Sequence, residues 1–124
     1  MIVIDTSALI RFFTNDDPTK AQAVKVLLNS PEIIFVPDVV FPELEYVLGD
    51  AYEANRQEIE ETLCFLINRP NVKTNSTIKI ALEIFKQTRL DLADCLIVAQ
   101  AMGKKLASFD KEMLKSTGIS PYWN

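Results

Sequence analysis

The chain of 124 residues contains no histidine. Without an imidazole there can be no Ser-His-Asp or Cys-His nucleophile, no histidine-based ribonuclease mechanism and no HExxH zinc site. Carboxylates, hydroxyls and a bound metal ion remain as the chemical groups available for catalysis. The missing residue type therefore narrows the possible chemistry before any motif is considered.

Glycine is also scarce, with Gly49, Gly103 and Gly118 as its only occurrences. Neither GxxxxGK[ST] nor GxGxxG occurs, so the chain lacks a glycine-rich loop that could cradle a nucleotide phosphate. This pattern argues against ATP-driven and dinucleotide-dependent chemistry.

The two cysteines, Cys64 and Cys95, have no CxxC partner and lie among apolar residues in helical patterns. We expect both to be reduced and packed as small hydrophobic side chains. No apolar run approaches the roughly 20 residues of a membrane span, and no basic region precedes a signal-like segment. We therefore expect a cytoplasmic protein that does not enter a membrane.

Hydrophobic residues make up 48% of the chain, which is enough for one good core in a chain of this length. Strand-like and helix-like patterns alternate, which favours an α/β fold with a central, mainly parallel sheet flanked by helices. We expect a single domain over residues 1–124. The predicted strands are 2–4, 33–36, 71–73, 106–109 and 120–123, and the predicted helices are 8–14, 18–29, 39–52, 56–68, 77–88, 92–102 and 111–116.

Several helix starts carry recognisable signals. Ser7 is a candidate cap for the first helix, Asp17-Pro18 begins the second, and Asp38 is a candidate cap for the third. Proline is tolerated only in the first turn of a helix, so Pro42 places Glu43 near a helix beginning.

Four acidic residues lie near strand ends or helix starts: Asp5, Glu43, Asp94 and Asp110. Ligands of parallel α/β sheets bind beyond the carboxyl ends of the strands, where Asp5 and Asp110 are predicted to lie. Carboxylates gathered without basic partners repel one another, and a hard divalent cation relieves that repulsion. The pattern therefore predicts a metal-dependent phosphodiesterase site.

Each acid also has a simpler structural explanation. Asp91 and Asp94 are three residues apart at a helix start, where an acid can cap the helix or complement its dipole. Asp110 could cap the helix that begins at Lys111, and Glu43 alone could be an ordinary surface residue. Two acids on one side of a helix start, together with Asp5 and Asp110 at predicted strand ends, shift the balance toward a shared metal site.

The formal charge of −4, from 13 basic and 17 acidic residues, at first argues against a nucleic-acid partner. If the four acids and Asp91 line a metal pocket, 12 acidic residues remain against 13 basic ones, and the remaining surface is nearly neutral. The lack of a dense basic tract then suggests modest, selective RNA binding.

In order and separation, the segments DTSALI, ELEYVL, DLADCLIVAQA and SFDK resemble the successive motifs of PIN-domain ribonucleases. The resemblance covers essentially the whole chain and extends to the small single-domain VapC toxins of toxin-antitoxin systems. It implies a PIN-like three-layer α/β/α fold. It also implies a set of four metal-binding acids, Asp5, Glu43, Asp94 and Asp110. In the same resemblance Asp91 is an accessory acid, and the hydroxyls near the site are those of Thr6, Ser7 and Ser108.

Two positions depart from the usual family pattern. Ser108 stands where threonine is more common, which preserves a hydroxyl, and Pro42 directly before Glu43 is unusual and leaves the direction of that carboxylate open. The hydroxyls could also have purely structural roles, because Ser7 can cap a helix and Ser108 can hydrogen-bond to strand backbone.

The resemblance implies an endoribonuclease that uses one or two Mg²⁺ or Mn²⁺ ions and leaves 5′-phosphate and 3′-hydroxyl ends. It further implies a homodimer and a small antitoxin partner. The first helix carries an apolar surface that is too broad for a helix exposed on one side, formed by Leu9, Ile10, Phe12 and Phe13. Part of this surface could contact another chain, or all of it could be core.

Two other classes of function stay open. A PIN-like fold without turnover would act as a binding or scaffold subunit. A phospho-acceptor receiver domain also places acids at strand ends, but it resembles this chain poorly because Asp5 has no adjacent acid and Lys104 and Lys105 precede the late strand.

Overall fold

Short parallel strands alternate with longer helices along the computed structural model, which describes residues 1–123. The chain divides into two compact units, Met1–Asn75 and Ser76–Asn124. The predicted alternation of strands and helices is confirmed, whereas the single domain over residues 1–124 stays a prediction.

The first unit consists of a three-stranded parallel sheet, in the order β1-β2-β3, and four helices. Its elements are β1 (Ile2–Val3), α1 (Thr6–Thr14), α2 (Pro18–Leu28), β2 (Ile34–Phe35), α3 (Val40–Asp50), α4 (Arg56–Ile67) and β3 (Val72–Lys73).

β2 is the central strand of this sheet, and its β-branched residues suit a strand that is covered on both faces. Ile34 and Val36 are fully buried, and the Val36 amide donates to the Lys73 carbonyl at 3.0 Å. The Ile4 amide likewise donates to the carbonyl of Phe35 at 3.1 Å. Strand β1 is thereby held in register up to the residue before Asp5.

Two predicted helix caps in this unit are wrong. The cap of α1 is Asp5, which accepts from the Ala8 amide, whereas Ser7 lies inside the first turn. Asp38 does not cap α3: the cap position is Val39, and the Asp38 carboxylate accepts from the Asn75 side-chain amide at 2.9 Å instead. Asp17 does cap α2, as predicted, with Pro18 as the first helical residue.

The first helix divides into a core part and a half-buried part. Leu9 and Ile10 are buried, whereas Phe12 and Phe13 are half-buried and pack against Phe65 of α4. An open cavity of about 480 Å³ lies beside these three rings. Leu9 and Ile10 are therefore core, and a contact between the half-buried rings and another chain stays a prediction.

The second unit consists of three helices and a two-stranded parallel pair. Its elements are α5 (Ser76–Gln87), α6 (Leu92–Ala101), β4 (Lys105–Leu106), α7 (Lys111–Leu114) and β5 (Ser120–Pro121). Helix α6 packs against α5, α7 and β4, and the inward side chains Phe85, Cys95 and Val98 are fully buried.

The prediction of a core strand at 106–109 is wrong in extent. The strand is Lys105–Leu106, and Phe109 is 84% exposed. The pairing of β4 with β5 covers two residues on each strand, and α7 begins at Lys111. Helix α7 is also shorter than predicted and ends at Leu114.

Cys64 is half-buried and Cys95 is buried, and neither forms a disulfide, as predicted. Among residues 1–123, none of the helices has the length and apolar character needed to cross a bilayer.

Candidate active site

Asp5 follows Ile4, whose amide still bonds to the Phe35 carbonyl of β2, and it caps α1. Its Oδ1 accepts from the Ala8 amide at 3.1 Å and from the Ser7 hydroxyl at 2.9 Å. These two hydrogen bonds, the backbone one first, hold the pKa of Asp5 below its ordinary value. The carboxylate is exposed, so a fully ionised acid is presented to solvent at a strand end.

Glu43 lies in the first turn of α3 and is also exposed. The Thr6 hydroxyl donates to its Oε1 at 2.7 Å. Because Thr6 follows Asp5 and α1 packs against α3, this bond ties the two carboxylates of the first unit to neighbouring positions. Pro42 falls in the same first turn, where proline is tolerated, and Thr6 fixes the direction that the sequence left open.

The Thr6 bond leads to a testable prediction. Replacing Thr6 by Val removes the donor to Glu43 while keeping a β-branched side chain, and we expect the half-saturating Mn²⁺ concentration of the protein to rise by about tenfold. Thr6→Ser should restore the wild-type value. Thr62→Val is the matched control, because its hydroxyl donates only to the Glu58 carbonyl within α4. An unchanged Mn²⁺ requirement in Thr6→Val would remove Thr6 from the site.

In the second unit, Asp91 caps α6, and its Oδ1 accepts from the Asp94 amide at 2.8 Å. Asp94 is half-buried in the first turn of the same helix. Burial, followed by the negative charges of Asp91 and Asp110, raises the pKa of Asp94. The surroundings of Asp94 thus destabilise its ionised form.

Asp110 caps α7, accepting from the amides of Glu112 at 2.9 Å and Met113 at 3.1 Å. Its own amide donates to the Ser108 hydroxyl at 3.0 Å. Ser108 therefore supports the segment that leads into Asp110. It lies after the end of β4 and not in a strand, in contrast to the prediction.

Three of the sequence-predicted acids are helix caps: Asp5, Asp91 and Asp110. The sequence predicted the capping role of Asp91 and Asp110. It did not predict that of Asp5, because it assigned the cap of α1 to Ser7. Capping uses one carboxylate oxygen, and an acid at a helix start is compatible with a second partner in solvent. The structural role therefore does not compete with metal binding.

The donor set fits a hard divalent cation. The candidate ligands are all carboxylate oxygens, which Mg²⁺ and Mn²⁺ favour over softer ligands, and the raised pKa of Asp94 marks negative charge that a cation would stabilise. Within either unit, over residues 1–123, no three acidic or cysteine side chains are grouped so that they could hold a metal ion by themselves.

Comparisons with known proteins relate the whole chain to one family. A family model described as "PIN domain" matches residues 2–118. A curated protein named "VapC ribonuclease", from Aquifex aeolicus (strain VF5), is 29% identical over an alignment of 132 residues that covers 98% of each chain.

Proposed function

Since the chain belongs to the PIN domain family, we propose that it is a metal-dependent endoribonuclease of the VapC toxin type. The family match confirms both the resemblance and the α/β fold class that the motifs predicted. The single observation that carries the proposal is the likeness to a VapC ribonuclease over 98% of each chain, because an alignment of that extent spans the positions of all four acidic segments.

We assign the metal-binding role to four carboxylates, those of Asp5, Glu43, Asp94 and Asp110. Asp91 acts as an accessory acid that adjusts the charge around Asp94, and Thr6, Ser7 and Ser108 hold the acids in position. The hydrogen bonds from Thr6 to Glu43, from Ser7 to Asp5 and from the Asp110 amide to Ser108 support these three roles.

Bound Mg²⁺ or Mn²⁺, as one or two ions, would lower the pKa of a water molecule and offset charge on the departing oxygen. The exposed carboxylates of Asp5 and Glu43 would hold such an ion without losing their helix-capping or Thr6 bonds. No side chain has to act as the nucleophile. Hydrolysis by water would leave a 5′-phosphate and a 3′-hydroxyl on the RNA.

The proposal extends to partners and location. We infer a small antitoxin that binds the toxin, a homodimer, and a cytoplasmic location, in keeping with the VapC-type assignment. The half-buried rings of Phe12 and Phe13 support a contact with another chain, because they are only partly covered within the first unit.

Metal removal tests the proposed activity. We expect the purified protein to cleave RNA in Mg²⁺ or Mn²⁺ and to lose at least about 99% of that cleavage in EDTA, because bound metal activates the attacking water. Restoring Mn²⁺ should restore cleavage, and sequencing should find 5′-phosphorylated ends. Full cleavage in EDTA would contradict the proposal, and Mn²⁺ binding without cleavage of any of several RNA classes would favour a catalytically silent PIN-like subunit.

A further inference from the structure

A stack of exposed aromatic rings lies beside Asp110 and has no part in the function proposed so far. We define the aromatic platform as Phe109, Tyr122 and Trp123. Phe109 is 84% exposed, Tyr122 is 60% exposed and Trp123 is 47% exposed. Contiguous rings of this kind would normally be buried, because each could remove roughly 150–250 Å² from water.

The rings form an ordered surface. Phe109 and Trp123 are parallel within 3°, with their centroids 4.7 Å apart, and Tyr122 meets Trp123 edge-on at 5.4 Å. The segment that carries Trp123 is anchored, because the Tyr122 amide donates to the Leu106 carbonyl at 2.9 Å. The pairing of β4 with β5 thus brings residues from two parts of the chain into one stack.

The platform adjoins the proposed active site along the chain. Phe109 immediately precedes Asp110, so their Cα atoms are about 3.8 Å apart. The turn between them is fixed by the Ser108 hydroxyl, which accepts from the Asp110 amide. An exposed aromatic ring and a proposed metal ligand are therefore carried by consecutive residues.

The charge of the second unit suits a polyanion. Residues 76–124 carry seven Lys or Arg against five Asp or Glu, whereas residues 1–75 carry six against twelve. Lys105 lies opposite Ser120 in the strand pair that supports the platform, and Lys111 directly follows Asp110. Both lysines are exposed. Flat aromatic faces close to basic side chains are the usual means of holding single-stranded nucleic acid.

We propose that the aromatic platform binds unpaired bases of the RNA substrate, with the open face of Phe109 stacked on a base next to the phosphate that is cleaved. The proposal rests on the ribonuclease function given above and names the residues that would hold unpaired bases beside the cleaved phosphate. Double-stranded RNA fits poorly, because its bases are already stacked inside the helix.

The chain's single tryptophan makes a direct test possible, because Trp123 is itself part of the platform. The fluorescence of the full-length Asp94→Asn variant in Mg²⁺ is titrated with a 12-nucleotide single-stranded RNA, with an oligomer of ribose and phosphate that lacks bases, and with an RNA duplex. We expect saturable quenching by the single strand alone. Equal quenching by the base-free oligomer, or no quenching by the single strand, would overturn the proposal.

Variants at Phe109 measure the contribution of the stack. Phe109→Ala should raise the half-saturating RNA concentration about tenfold, and Phe109→Tyr should restore it, because tyrosine keeps the stacking face. Phe65→Leu removes a partly exposed ring of the first unit and should leave RNA affinity unchanged. If Phe109→Ala instead lowers the mass of the assembly by sedimentation and leaves RNA affinity unaltered, the platform is a contact between chains and the proposal is wrong.

The two proposals fail in different ways. Intact cleavage without base-dependent quenching would reject the platform and leave the ribonuclease function standing. Base-dependent quenching without cleavage in any metal would reject the ribonuclease function and leave the platform as an RNA-binding surface.

Discussion

Replacing Asp94 by Asn lowers metal-stimulated RNA cleavage by at least about a hundredfold, one of the two largest effects that we expect from a single substitution. The change keeps the size of the side chain and removes the charge that would bind the cation. Initial rates on a mixed RNA substrate, measured in Mn²⁺ and in Mg²⁺, test it. Cleavage equal to that of the wild type would remove Asp94 from the mechanism.

The same variant should be more stable than the wild type in the absence of metal. Burial and the charges of Asp91 and Asp110 raise the pKa of Asp94 in the folded state, so its ionised form opposes folding at neutral pH. Asparagine carries no charge and escapes this penalty. The midpoint of thermal unfolding in EDTA should therefore rise, and a lower midpoint would show that the carboxylate stabilises the fold.

Glu83→Gln is the matched control for Asp94→Asn. Glu83 lies on α5 of the same unit, and its carboxylate forms an exposed ion pair with Lys86 at 3.2 Å. Exposed pairs of this kind contribute little to stability. This variant should keep both the cleavage rate and the thermal midpoint of the wild type. That result would show that the effects of Asp94→Asn do not follow from the loss of just any carboxylate in this unit.

Asp5 should show the second large effect, in a form that separates its two roles. Asp5→Asn is expected to lose at least about a hundredfold in cleavage while keeping stability within about 0.5 kcal/mol, because Asn is as good a helix cap as Asp. Asp5→Ala should lose the same activity and, in addition, about 1 kcal/mol of stability, because the Ala8 amide loses its acceptor. Cleavage rates and denaturant unfolding measure the two quantities.

Asp17→Ala supplies the converse control. Asp17 caps α2 by accepting from the Lys20 amide at 3.2 Å and has no assigned part in metal binding. It should lose about 1 kcal/mol of stability and keep its cleavage rate. If Asp5→Asn keeps full activity, Asp5 is a cap alone and the proposed metal set is wrong.

The helices were well predicted because their signals are local. The Asp17-Pro18 start and the apolar spacing of residues 56–68 each lie within a few turns of chain, and the structure places α2 and α4 there. One error occurred where two local signals compete. Asp5 and Ser7 can each cap α1, and the choice of Asp5 follows from the point at which β1 leaves the sheet.

The candidate site was predictable in its residue types and less so in its contacts. The acidic residues and their family motifs are evident from the amino-acid sequence alone. The bond from Thr6 to Glu43 joins residues 37 positions apart, and the engagement of Asp38 by Asn75 also joins residues 37 positions apart. No periodic pattern encodes such pairs, because they depend on how helices and strands pack.

The sequence by itself determined the chemistry open to this protein: without histidine and with few glycines, it is left with carboxylates and a metal ion, and its ordered acidic motifs indicate the family. Only the tertiary structure decided which oxygens those carboxylates present, that burial beside Asp91 and Asp110 raises the pKa of Asp94, and that Phe109 stacks on Trp123 in solvent. Composition and local pattern fix which groups exist, whereas burial, charge proximity and ring stacking arise from residues that meet only after the chain has folded.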